Sequence, residues 1–391
     1  MTTLLYSDPE LVIALNKKVI FVNPNDLQIF KEIELPEDLY ALGLKASNNL
    51  TEPSELAAEK SEEKCEQSKV SKKLKHVKIE PPSILHVKLS PDNRLCAVTT
   101  SGQKAVLLYQ CRPEQAKLVS VRPLARASSV ITFSPDSKVL LVTDKSGDCY
   151  KYDCENDEEE PQLLFGHFSI VYDLVWTPDS KYIVTCDRDD KIRVTNYPAT
   201  HDIHGYCLGH QEFVSALAFL DEDTIISVSG DKTLRLWDFK NGRELTMLEL
   251  PAPGLRLCLR ATGENKLEAA VLLYQPDECI ALYELTKSDT SKWLVKERQI
   301  LRIPGVIVNS ICFINKNLYA SGIVDEHFTL RVFNVDGCES KVSGDWIKVI
   351  EEQFKTEVWK PEDVSAWFKK RFDNVSDYLE RKKRRIEEKQ K

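Results

Sequence analysis

No stretch of this chain carries about 18 uninterrupted apolar residues, so no membrane-crossing helix is expected. Its first residues, MTTLLYSDPELVIAL, lack a basic stretch ahead of the apolar run and meet acids within ten residues, so no secretory signal is expected either. The 11 cysteines are an odd number, scattered singly with no CxxC pair. That usage fits reduced thiols in the cytosol or nucleus and argues against a disulfide framework. Missing too are a GxSxG elbow, a phosphate-binding Walker loop, a dinucleotide fingerprint and an HExxH helix. His201 and His204 flank a turn with no Cys or carboxylate at metal spacing, so no metal site is expected. Nothing assembles into a catalytic constellation, and the chain reads as a non-enzyme.

Charge is present but unevenly placed. Lys369–Lys391 holds ten Lys/Arg against five Asp/Glu, a local +5, which leaves −13 on the rest of a chain whose net charge is −8. An acidic body is a poor general surface for nucleic acid, so any RNA contact is expected through the basic tail or a partner. Fifteen of the 36 residues at 45–80 are Lys or Glu and none is aromatic. Such a segment cannot bury enough apolar surface to offset its ordering entropy, and it reads as a disordered insertion after a first, degenerate blade.

What the sequence has in abundance is repetition. Residues 209–239, GHQEFVSALAFLDEDTIISVSGDKTLRLWDF, open on Gly-His, run through alternating apolar segments, turn at Ser-Gly-Asp-Lys-Thr and close on Trp-Asp. This is the signature of one four-stranded WD-repeat blade. His210 is placed to be held by Asp231, with a strand hydroxyl (Ser227 or Ser229) and the Trp237 indole joining the network. Leu89-Ser90-Pro91-Asp92, Phe133-Ser134-Pro135-Asp136 and Trp176-Thr177-Pro178-Asp179 repeat one turn formula, their prolines 44 and 43 residues apart. A blade cannot cover its own faces, so several must stack into a ring. Counting units gives an all-β, seven-bladed propeller over residues 1–344, followed by a helical, basic tail over 345–391. The last blade reads one strand short, and Thr2–Tyr6 is expected to complete it. Helical spacing of Val364, Trp367, Phe368, Phe372, Val375, Tyr378 and Leu379 predicts a helix from Glu362.

The fourth unit departs most from the pattern. His167 sits in a Gly-His pair like His210, and Asp189 aligns with Asp231. Thr195 stands where Trp237 stands, so the Trp is lost. Arg188, Lys191 and Arg193 place three cations in six residues, either an ordinary charged strand or a basic docking point for an acidic patch. At the C-terminus Arg381, Lys382, Lys383, Arg384 and Arg385 form a run that reads as a solvated helix end, a nuclear-import signal or a phosphate contact.

The segments CDRDDKIRVTNY, YCLGHQEFVSALAF, SGDKTLRLWDFKNGREL and FDNVSDYLERKK together resemble the WD-repeat non-catalytic subunit of tRNA (guanine-N7)-methyltransferase. That resemblance implies a nuclear scaffold that performs no chemistry and binds no cofactor itself. It implies a heterodimer with a separate catalytic subunit, which binds S-adenosylmethionine and methylates a guanosine in the tRNA variable loop. It places the partner contact at Asp187–Val194, with Arg188, Lys191 and Arg193 as contact residues and Arg193 foremost. Two other classes fit a propeller: a ubiquitin-ligase substrate receptor, although Trp237-Asp238-Phe239-Lys240 ends in Lys where Arg is usual, and a peptide or histone reader.

Overall fold

The computed structural model describes residues 3–25, 28–44, 80–112, 116–290, 292–334, 344–355, 357, 362–369, 378–383 and 385. Among them, 27 strands form seven antiparallel sheets, six of four strands and one of three. Each sheet uses consecutive strands, within residues 3–34, 83–123, 128–166, 171–207, 214–249, 254–301 and 307–333. The first strands of neighbouring sheets touch one another around the whole ring, and the first blade meets the seventh. The molecule is a seven-bladed propeller. Middle strands such as Glu10–Leu15 and Thr224–Ser229 are buried along their whole length because neighbouring blades cover both faces. The outer strand Arg243–Glu249 is mostly exposed, as a sheet edge facing water should be.

The recurring Ser/Thr-Pro-Asp formula has one physical cause. The Ser90, Ser134 and Thr177 hydroxyls donate to Asp92, Asp136 and Asp179 at 2.6, 2.5 and 2.7 Å. The same hydroxyls accept the backbone N–H of Leu95, Val139 and Tyr182 at 2.9, 3.0 and 3.0 Å. Asn93, Ser137 and Ser180 then turn the chain at φ of 57°, 63° and 56°. Every hairpin of this type closes with the same hydrogen bonds, so the sequence keeps the formula.

Ring closure differs from expectation. The strand Thr3–Ser7 pairs with Glu10–Leu15 and completes the first blade, which therefore has four strands; it does not join the seventh. The seventh blade keeps three, and the helix Gly344–Gln353 takes the place of the fourth. Trp346, Ile350 and Phe354 pack against Phe328, Leu330 and Val332, while Glu351 Oε1 accepts from Thr329 Oγ1 at 2.9 Å and from the edge N–H of Leu330 at 3.3 Å. A helix thus shields a sheet edge that would otherwise be open to another strand. Trp346, Ile350, Phe354 and Trp367, all beyond residue 344, are part of the propeller's packing.

The expected helix does not begin at Glu362, although residues 378–383 further along are helical. Val364–Trp367 forms one 3-10 turn capped by Asp363, and Phe368 is extended at φ −64°, ψ 144°. The apolar stripe is broken there because Trp367 and Phe368 are claimed by the ring: Trp367 stacks on Tyr172 at 4.3 Å, and Phe368 meets Phe213 edge-on at 5.0 Å. The Lys/Glu-rich insertion, except Glu80, lies outside the described residues.

Candidate functional site

Blade five shows the intact structural relay. The Trp237 indole N–H donates to Ser227 Oγ at 2.8 Å, Ser227 Oγ lies 2.8 Å from His210 Nε2, and His210 Nδ1 lies 2.9 Å from Asp231 Oδ2. One proton arrangement satisfies all of it: hydroxyl to Nε2, and Nδ1–H to carboxylate. Burial lowers the His210 pKa despite its bond to Asp231, so the ring is neutral. Burial alone would raise the Asp231 carboxyl, but hydrogen bonds from His210 and Thr233 hold it well below the usual range.

In blade four the relay is rewired. His167 Nδ1 lies 3.0 Å from Asp187 Oδ2 and its Nε2 lies 2.8 Å from Thr185 Oγ1. The carboxylate is therefore that of Asp187, a correction to the alignment of Asp189 with Asp231. In blade five the turn N–H of Asp231 is held by Ser229 and the histidine by Asp231. Asp187 occupies the Ser229 position with a longer, forked side chain and fills both roles: its Oδ1 accepts from the N–H groups of Asp189 and Lys191 at 3.0 and 3.1 Å. Asp189 supplies only its N–H to this network. Asp187→Asn is expected to lower stability by about 1–3 kcal/mol, whereas Asp189→Asn should stay within about 0.5 kcal/mol; denaturant midpoints separate the two.

Both histidines are held neutral by burial, and both partner carboxylates are lowered. Protonation therefore favours the unfolded chain. The histidine contribution is complete above the unfolded value of about 6.5 and is lost as pH falls below it. Thermal midpoints should accordingly drop between pH 7 and pH 5.5, and His210→Gln, which cannot take the proton, should flatten part of that slope.

The three cations of the blade-four turn do not form one patch. Arg188 turns toward the C-terminal segment and donates from Nε to the Trp367 carbonyl at 3.3 Å. Lys191 is half-buried at the turn. Arg193, expected as the foremost exposed contact, is only 6% exposed. Its Nη1 donates to the Gly166 carbonyl at 2.9 Å and its guanidinium lies 4.6 Å over the Phe165 ring. Burial pulls its pKa down, although a guanidinium stays charged. Its Nε and Nη2 groups are buried with no acceptor in the described structure. A buried charge with two unanswered N–H donors is costly unless something completes it.

Around this arginine the ring exposes apolar side chains that the sequence reading overlooked. Phe168, two residues past the Gly166 acceptor, is wholly exposed, and Leu208 is 63% exposed. Tyr206 pairs across the strand with Arg193 and is also exposed. The available signal was small: Phe168 follows Gly-His where the polar Gln211 stands in blade five. Of the basic run, Arg381, Lys382, Lys383 and Arg385 are exposed, the first three in a helical stretch, and Arg384 lies outside the described residues. Among the described residues no group of His, Cys, Asp or Glu is placed to hold a metal ion, and no helix is long and apolar enough to cross a membrane.

Seven blades, the His–Asp–hydroxyl–Trp relay and the 43–44-residue period define a WD-repeat propeller. Residues 44–162 and 151–273 match the family described as "tRNA methyltransferase TRM82 WD40 domain". The tRNA (guanine-N(7)-)-methyltransferase non-catalytic subunit wuho of Drosophila grimshawi is 53% identical over 99% of each chain. Its counterpart in Drosophila melanogaster is 46% identical over 100% of this chain and 98% of its own. The chain belongs to the family of WD-repeat non-catalytic subunits of tRNA (guanine-N7-)-methyltransferase. A chain in the crystal structure of the mitotic checkpoint complex shares the fold, with a TM-score of 0.62 and 14% identity over 86% of this chain and 87% of that one.

Proposed function

We propose that this propeller binds and stabilises the catalytic methyltransferase subunit that forms N7-methylguanosine in the tRNA variable loop, as one half of a heterodimer. S-adenosylmethionine belongs to the catalytic subunit, and tRNA is met mainly by the complex, with Arg381–Arg385 adding phosphate contacts. That basic run also serves nuclear import. The observation that carries the reading is Arg193: a guanidinium with two unanswered N–H groups, at the edge of exposed Phe168, Tyr206 and Leu208. Nε and Nη2 are closed to solvent in the free ring, so a carboxylate of the partner would complete the fork as the Tyr206 side chain beside it gives way, and the apolar rim would exclude water around it. Lys191 steers the approach and Arg188 braces the turn from behind. The ring contributes preorganisation, holding the reacting subunit in one geometry. Mixing the two subunits at equal concentration should give a single one-to-one species by size-exclusion chromatography with light scattering. Phe168→Asp should dissociate it with no loss of thermal stability in the ring; an unchanged complex would refute this placement.

A further inference from the structure

The mouth of the ring on the side of the blade-four turn holds a second feature, which shares only Arg188 with the partner-binding rim. A cleft of about 420 Å³ is lined there by Lys145, Arg188 and Arg256, with His86 on its wall and the Trp367 segment along one side. Arg188 and Arg256 donate to the carbonyls of Trp367 and Leu255 at 3.3 and 3.1 Å. None of the three cations has a carboxylate within ion-pair distance among the described residues. His86 adds no charge at neutral pH, because burial first, and then Arg256, push it down to about 4. On the other side of Trp367 lies a cavity of about 700 Å³ with an apolar lining that includes Leu255, Leu272, Val306 and Val308. The two share Arg256, Glu362 and Trp367.

We propose that this mouth is a binding site for a short extended peptide of a partner protein carrying an acidic side chain beside an apolar one. The acid enters the cleft of Lys145, Arg188 and Arg256, and the apolar side chain fills the cavity beyond Trp367. Charge complementarity selects the occupant: three cations against Glu362 and Asp363 leave the cleft net positive and suited to one further anion, and a basic peptide such as a histone tail is repelled. A nucleic-acid backbone fits poorly. It carries a charge at every step, and Glu362 and Asp363 on the cleft wall would oppose a chain of phosphates while leaving room for a single carboxylate. Trp367 anchors the arrangement, stacked on Tyr172 at 4.3 Å, edge-on to Phe213 at 5.4 Å and with the Arg256 guanidinium 5.6 Å from its ring. Arg188 belongs to both sites, but Lys145 and Arg256 line the cleft and have no role at the rim, so substitutions there test the cleft alone.

The test uses the full chain and an array of short Gly/Ser peptides with a central Glu-Ser-Leu, compared with the same peptides bearing Gln or Lys in place of Glu. Binding of the Glu peptides in solution should be roughly tenfold tighter than that of the Gln peptides, with the Lys peptides weaker still. Lys145→Glu, an exposed change that disturbs no packing, and separately Arg256→Gln should each cost roughly tenfold. Assembly with the methyltransferase subunit should be unchanged in both. Equal binding of Glu and Gln peptides, no binding up to about 1 mM, or unaltered affinity in Lys145→Glu would overturn the assignment. So would loss of oligouridylate binding, and not of peptide binding, in Lys145→Glu, which would give the cleft to RNA.

Discussion

Arg193→Gln is expected to weaken binding of the catalytic subunit by roughly 30-fold or more, because removing one partner of a buried, hydrogen-bonded charge pair costs about 2–5 kcal/mol. Glutamine is chosen with care. Its side chain ends about where Nε stands, so it gives up the bond of Nη1 to the Gly166 carbonyl but keeps the aliphatic stem while the charge and the forked donor are removed. Among the described residues neither Nε nor Nη2 makes a well-formed hydrogen bond, although the Tyr206 side chain lies beside the guanidinium. Alone, the ring should change little in stability, because the lost Gly166 bond is offset by the disappearance of a buried and incompletely paired cation. Isothermal titration of the two subunits, with thermal unfolding of each ring measured beside it, separates the effects. A destabilised ring with unchanged affinity would make Arg193 a purely internal residue.

Trp237→Ala should be the most damaging single change within a blade, at about 3–5 kcal/mol. The indole is fully buried and packs in the cluster with Val184, Val194, Phe219 and Phe239, so its removal opens a cavity between blades four and five. It also leaves Ser227 Oγ without its donor, and through it the relay to His210 and Asp231. Trp237→Phe fills most of the space and should lose only about 1 kcal/mol for the missing hydrogen bond. Chemical denaturation of the pair reads the two contributions apart. Blade four already lives without this indole: among the described residues Thr195 takes the position with a buried hydroxyl that finds no partner, and His167 is held by Thr185 and Asp187.

The ring was readable because its repeat is enforced by local chemistry. Ser90, Ser134 and Thr177 each close a hairpin with an acid two residues on, and such short-range bonds leave a fixed spelling in the chain. The His210–Asp231–Trp237 relay was readable for the same reason. Asp187 was missed because alignment counts positions, while the geometry counts reach: an aspartate at the Ser229 position touches both the turn and the imidazole, and the aligned Asp189 becomes redundant. Long-range packing left no such mark. That Glu351 would answer the edge N–H of Leu330, or that Trp367 would stack on Tyr172 across 195 positions of sequence, depends on the closed ring, which no local pattern encodes. The burial of Arg193 escaped for a related reason, since its cover comes from Phe165 and Gly166 of the preceding blade.

The central claim is that this chain performs no chemistry and acts by gripping the subunit that does. Methyl transfer from S-adenosylmethionine to tRNA, followed with the ring alone, the catalytic subunit alone, both together, and both with Arg193→Gln in the ring, tests it most directly. The account predicts no transfer by the ring, full transfer by the pair, and transfer by the Arg193→Gln pair that is restored only when the ring is supplied in large excess. Methylation by the ring alone, or undiminished methylation by the variant pair at limiting concentration, would contradict it.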